Sequence, residues 1–199
     1  NFSFCQKRDT EWAKADYEVA TEQFKLSSSE KPIFVPEKGN INLNETADAL
    51  VVKGERFEAV FSKKEGTLSA YTLNNVPLMS KGLELNLFRA PTDNDKQVSG
   101  DWQRKGLYQL QTETGKWETR QEEDRITLHI RNCHKGKLGF EYRTEMEYTV
   151  NADGSIMVNS VIMPVSDGEI IPRVGYRMEL PEGFERMRWY GRGPWENYT

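Results

Sequence analysis

Along residues 141–150, EYRTEMEYTV, apolar and charged positions alternate. Tyr142, Thr144, Met146, Tyr148 and Val150 share one face; Glu141, Arg143, Glu145 and Glu147 share the other. Strand side chains point alternately to two faces, so this period predicts an antiparallel strand buried on one side. NADG at 151–154 offers residues that tolerate positive φ, and SIMVNSVIM returns as a second strand, so 141–163 reads as a hairpin. DRITLHIRN repeats the pattern, with Ile126, Leu128 and Ile130 set against Arg125, Thr127, His129 and Arg131, before a turn at CHKGKLG. Upstream, ALVVKGERFEAVFSKKEGTLSAYTLNNVPLM predicts a meander of three short strands that turns at Lys53-Gly54, Lys64-Glu65-Gly66 and Asn74-Asn75. LELNLFRAP adds a strand stopped by Pro91, which has no N–H for a ladder. GYRMELP and MRWYGRGP complete the series.

One short helix is predicted at DWQRKGLY, capped by Asp101 and ended by Gly106. About ten strands with short connections predict an all-β fold, an antiparallel β-sandwich. Residues 27–46, SSSEKPIFVPEKGNINLNET, show no period and have the composition of a linker. Before them, Trp12 to Phe24 reads as one long strand. A lone strand cannot bury its apolar face, so 1–26 is expected to be the last strand of a preceding domain and 47–199 the sandwich. Both termini look internal to a longer protein, and exposed strand edges there would favour a strand-mediated homodimer.

Composition narrows the functional classes. Nine Phe, eight Tyr and five Trp, with 37% hydrophobic and 29% charged residues, describe a globular chain. A net charge of −4 leaves no basic surface for nucleic acid. No apolar run reaches the ~20 residues of a membrane helix, which predicts a soluble protein of cytoplasm or periplasm. Cys5 and Cys133 lack the spacing of a disulfide scaffold or zinc site and are expected to be free. The sequons at Asn1, Asn44 and Asn197 fit chance occurrence. His129 and His134, the only histidines, are both expected at the surface.

Two clusters carry candidate chemistry. In FRAPTDNDKQVSGDW (88–102), Asp93, Asn94 and Asp95 can fold back onto backbone N–H groups, and Arg89 stands close enough for a bridge that pins the loop. A structural role is expected for Arg89 and Asp93, while Lys96, Gln97, Val98, Ser99 and Gly100 form the candidate ligand-facing loop. In GRGPWENY the glycines and Pro194 predict a rigid corner that presents Arg192 and Trp195, with Glu196 beside them.

FRAPTDND at 88–95, PRVGYRMELP at 172–181 and WYGRGPWENY at 189–198 together resemble the signature segments of the C-terminal domain of large bacterial β-galactosidases, glycoside hydrolase family 2. EQFKL at 22–26 resembles the close of the immunoglobulin-like domain before it. The resemblance implies an incomplete supersandwich related to galactose mutarotases. It implies a parent that hydrolyses terminal β-D-galactosides with retention, through two glutamates about 5–5.5 Å apart on a barrel outside this chain. No catalytic or metal-ligating residue is then expected here, and the chain alone should be inactive. The pair Asn44-Glu45 is rejected as the acid/base motif because it lies in linker composition. The implied partners are the remaining domains and the galactoside in the parent's site, with Mg2+ and Na+ bound elsewhere. Residues 96–100 would approach that site, supported by Arg89, Asp93, Asn94, Asp95, Arg192, Trp195 and Glu196. The alternatives are a carbohydrate-binding module or an aldose 1-epimerase-like protein, the latter needing a histidine in a sugar cleft.

Overall fold

Alternating apolar positions become strands wherever a partner ladder is available, and the computed structural model shows which ladders form. It describes residues 2–22, 24, 35–165 and 168–188. They fall into two units, Asn1–Val35 and Pro36–Thr199.

The first unit is a hairpin rather than one long strand: β1 (Phe2–Cys5) pairs antiparallel with β2 (Glu18–Glu22). Trp12 lies in the connection. Asp9 closes that loop, its carboxylate accepting from the Ala15 N–H (2.9 Å) and the Lys14 ammonium (2.7 Å). Asp16 takes a left-handed φ of 66°, which breaks the extended run that the apolar spacing suggested. Trp12 then packs edge-on against Tyr17, with ring centroids 5.6 Å apart.

In the second unit, β3 (Asn42–Glu45), β4 (Ala49–Lys53), β5 (Phe57–Ser62), β6 (Thr67–Leu73) and β7 (Val76–Pro77) form an antiparallel meander in chain order. Its turns include the three predicted sites, and Asn74 and Asn75 both adopt positive φ. β8 (Lys81–Leu85) follows, then a 3-10 turn at Asp93–Asp95 and α1 (Ser99–Arg104). β9 (Gln111–Gln121), β10 (Arg125–Lys135), β11 (Glu141–Asn151) and β12 (Ile156–Pro164) make a second antiparallel sheet in the order 12-11-10-9. β13 (Tyr176–Glu179) pairs with β8.

Several sequence expectations change here. Within the expected linker 27–46, Asn42–Glu45 is a strand and Ile41 is buried in the core. This strand is short and lies at a sheet edge, so it shows little alternation. β9 has no counterpart among the predicted strands, because most of its residues are exposed; backbone pairing along β10 holds it. α1 begins at Ser99 behind Val98, which leaves Asp101 in the first turn instead of at the cap. Gly106, at φ 70°, follows the helix as expected. β8 ends at Leu85, well before Pro91, and Met187 and Arg188 are outside any strand. Residues 189–199, with the GRGP corner, lie outside the described residues.

The two larger sheets face each other across one apolar core, the arrangement of a β-sandwich. Leu50, Val52 and Phe61 come from the meander, and Ile126, Leu128, Ile130, Met146 and Tyr148 from the second sheet. Each fully buried Leu or Ile contributes about 1.5–3 kcal/mol. Phe61 meets Tyr148 edge-on at 5.1 Å, and the Tyr148 hydroxyl shares a hydrogen bond with the Thr67 hydroxyl at 3.0 Å. A smaller cluster of Leu87, Trp102, Leu107, Phe140 and Tyr142 seats α1. Among the described residues no helix is long and apolar enough to cross a membrane.

Candidate functional site

Leu87 is fully buried beneath the segment that leaves β8, so the chain emerges at Arg89 from a fixed base. The Arg89 guanidinium donates to both oxygens of Asp95, Nη1 to Oδ2 at 2.6 Å and Nη2 to Oδ1 at 3.1 Å. This fork geometry is the strong form of a charged hydrogen bond. Asp95 Oδ2 also accepts from the Thr92 N–H (2.7 Å) and hydroxyl (2.9 Å), and the Asp95 N–H donates to the Thr92 carbonyl. Arg89 further donates to the Ala90 carbonyl and lies over the Trp102 ring, 5.6 Å from its centroid. Trp102 is held in turn by donating Nε1–H to the Ile170 carbonyl at 2.9 Å. The Arg89 hydrogen bond, reinforced by Thr92, holds the Asp95 carboxyl well below the usual carboxylate range.

The expected Arg–Asp bridge is present, but its acid is Asp95. Asp93 is exposed and, among the described residues, pairs with Lys96 at 3.3 Å, because the 3-10 turn rotates Asp95 inward and Asp93 outward. Asn94 is exposed as well. The expected loop 96–100 is shorter than its sequence suggests: Ser99 and Gly100 begin α1, and Val98 packs against the cluster around Trp102. Lys96 and Gln97 are left as an exposed tip, fixed on one side by Asp95 and on the other by Val98. Arg192, Trp195 and Glu196 lie outside the described residues.

The histidines separate. His129 is on the outer face of β10, its Nε2 3.3 Å from Glu147, as expected. His134 corrects the expectation of a surface position: it is 5% exposed, on the inner face. The parity that buries Ile126, Leu128 and Ile130 simply continues through Asn132 to His134. Thr112 shares a hydrogen bond with Nδ1 (3.0 Å) and Thr144 with Nε2 (2.9 Å). Burial pushes the imidazole down to about 4, so it is neutral at pH 7. Asn132 donates its amide to the Gly66 carbonyl at 2.8 Å. A polar seam of Thr67, Thr112, Asn132, His134 and Thr144 thus interrupts the intersheet core. Reading the alternation past Ile130 would have found two of its members.

Asn44 and Glu45 sit on β3, and Glu45 accepts from the Lys63 ammonium at 2.6 Å. Cys5 and Cys133 are free, and burial with the Glu141 hydrogen bond pushes the Cys133 thiol up. Among the described residues no three His, Cys, Asp or Glu side chains gather as a metal site.

Comparison with known proteins gives two family matches: Beta galactosidase small chain over residues 53–199, and Beta-galactosidase, domain 4 over residues 1–27. The chain is 29% identical over 197 residues to a beta-galactosidase of Priestia megaterium, a match spanning 96% of this chain and 18% of that protein. It is 28% identical over 217 residues to the beta-galactosidase of Pseudoalteromonas haloplanktis and 26% over 215 residues to that of Psychromonas ingrahamii. Each of these covers 100% of this chain and 21% of the relative. The chain therefore spans about one fifth of the length of the curated relatives it matches.

Proposed function

The chain belongs to the β-galactosidase small-chain family, and on that premise we propose that it is a non-catalytic β-sandwich portion of a β-galactosidase that holds the tip formed by Lys96 and Gln97 at the rim of the sugar site. The parent hydrolyses terminal β-D-galactosides with retention, and the two glutamates that do so are carried outside this chain, as are its Mg2+ and Na+ sites. The remaining domains of the enzyme are the partners of this portion.

The observation that supports the reading is the two-sided anchoring of the tip. Arg89 neutralises Asp95 while fixing both of its oxygens, and α1 is held through buried Trp102. Between these anchors Lys96 and Gln97 carry ammonium and amide donors toward solvent, the groups that sugar hydroxyls accept from. A site held this firmly loses little conformational entropy when a ligand arrives. The epimerase reading fares worse. Both nitrogens of His134 are engaged by threonines and burial keeps the ring neutral, so it is poorly set to trade protons near pH 7.

The test compares two proteins on o-nitrophenyl β-D-galactoside. The 199-residue chain alone should release no nitrophenol. In the intact enzyme Arg89→Lys should raise KM several-fold, with the protein still folded by thermal melting. Turnover by the isolated chain, or unchanged kinetics in the variant, would sink the proposal.

A further inference from the structure

Lys105, which ends α1, joins three parts of the chain. Its ammonium pairs with Asp101 one turn back (2.8 Å) and with Glu169, in the segment between β12 and β13 (2.5 Å). Its carbonyl accepts the Lys137 N–H of the β10–β11 turn at 2.7 Å. Gly136 lets that turn approach so closely, since a Cβ there would stand 2.3 Å from the same carbonyl oxygen. The segment that carries Glu169 grips the helix a second time: the Ile170 carbonyl accepts from the Trp102 indole, and Ile171 packs against the cluster around Trp102.

The charges of this joint balance. Asp101 divides its oxygens between Arg104 (2.9 Å) and Lys105, so Glu169 compensates the second cation. The Lys105 and Glu169 side chains are only 22% and 16% exposed, where salt screens an ion pair less than on open surface. Movement of α1 passes directly to the tip. The Val98 carbonyl accepts from the N–H groups of Asp101 (3.0 Å) and Trp102 (3.3 Å), and the Val98 N–H donates to the Asp95 carbonyl (3.0 Å). Lys96 and Gln97 lie between Asp95 and Val98, so a turn of the helix in its seat would displace them. We propose that Lys105 and Glu169 are positioning residues for the sugar site: by pinning the far end of α1 they set where Lys96 and Gln97 stand, without touching the sugar themselves. This rests on the tip standing at the rim of that site. Misplacing a group by about 1 Å can cost on the order of a hundredfold, and loosening one of several pins should cost less.

The test is steady-state kinetics of the intact enzyme on o-nitrophenyl β-D-galactoside. Glu169→Gln keeps an acceptor for Lys105 but removes the charge. It should raise KM about threefold, at a kcat within about twofold of wild type. Lys105→Met should do the same, and the double variant should add little to either single change, because both break one contact. A pair that only stabilised the fold would behave differently: its loss would lower the amount of active enzyme, and so the apparent kcat, at an unchanged KM. That pattern overturns the proposal, as does an unchanged KM in folded Glu169→Gln enzyme, or single effects that simply multiply in the double variant. Should Lys105→Met fail to fold, Glu169→Gln decides alone. Arg89→Lys, measured alongside, separates two failures. If it raises KM and Glu169→Gln does not, the joint alone is refuted; if neither does, the rim placement falls with it.

Discussion

Arg89 and Asp95, six residues apart, are locked together by two parallel hydrogen bonds, and the carboxylate that closes the pair also caps its own turn through Thr92. The turn between β8 and α1 therefore depends on one ionised acid. Because the folded pKa is depressed, the stability it adds is present above the ordinary carboxylate value of about 4 and is lost as pH falls below it. Urea melts of the wild type and Asp95→Asn should differ most near neutrality and converge in acid. A difference that stays constant from pH 6 to pH 2 would show that the charge of Asp95 contributes nothing.

His134 gives a second acid-sensitive element in a different window. Its folded pKa of about 4 lies below the unfolded value of about 6.5, so unfolding takes up a proton between them and stability rises with pH across that interval. The full effect is on the order of 3 kcal/mol. His134→Gln, followed by chemical denaturation at pH 5 and pH 7, should flatten this slope. An equally steep slope in the variant would place the effect elsewhere.

The intersheet core predicts its own sensitivities. Leu128 is fully buried on the inner face of β10, and Leu128→Ala should cost about 2–5 kcal/mol. Tyr148→Phe keeps the ring against Phe61 but strands the Thr67 hydroxyl, and should cost about 1 kcal/mol. Urea titrations measure both, and the order of the two losses is the test.

β12 pairs with β11 along one side and exposes Met157, Val158 and Val161. Half-paired apolar strands add further strands readily, and lysine on such an edge suppresses it. The 199-residue chain expressed alone should self-associate in sedimentation velocity, and Val161→Lys should shift it toward monomer. A wild-type chain that stays monomeric at high concentration would show this edge to be inert.

The strands that proved legible are those with one face in the core. In β10 and β11 every second side chain enters the space between the sheets, and the alternation of Ile126 to Ile130 and Tyr142 to Val150 records it directly. β3 and β9 left little trace, because edge strands pair through backbone groups that every residue carries. At the candidate site, residue types alone gave the Arg–Asp bridge but named Asp93. The 3-10 turn, whose pitch decides which carboxylate faces Arg89, chose Asp95.

By itself the sequence determined the all-β character, the hairpin turns and the face on which each core residue lies, because these follow from steric preferences acting over a few residues. Only the tertiary structure decided that Thr67, Thr112, Asn132, His134 and Thr144 would meet. They come from four separate strands: register within one sheet set Thr112, Asn132, His134 and Thr144 side by side, and packing of the meander against that sheet brought up Thr67. The parity of β10 already turns His134 inward, but register is set by the summed pairing of whole strands, so no short stretch of chain contains the information that places a threonine on each of its ring nitrogens.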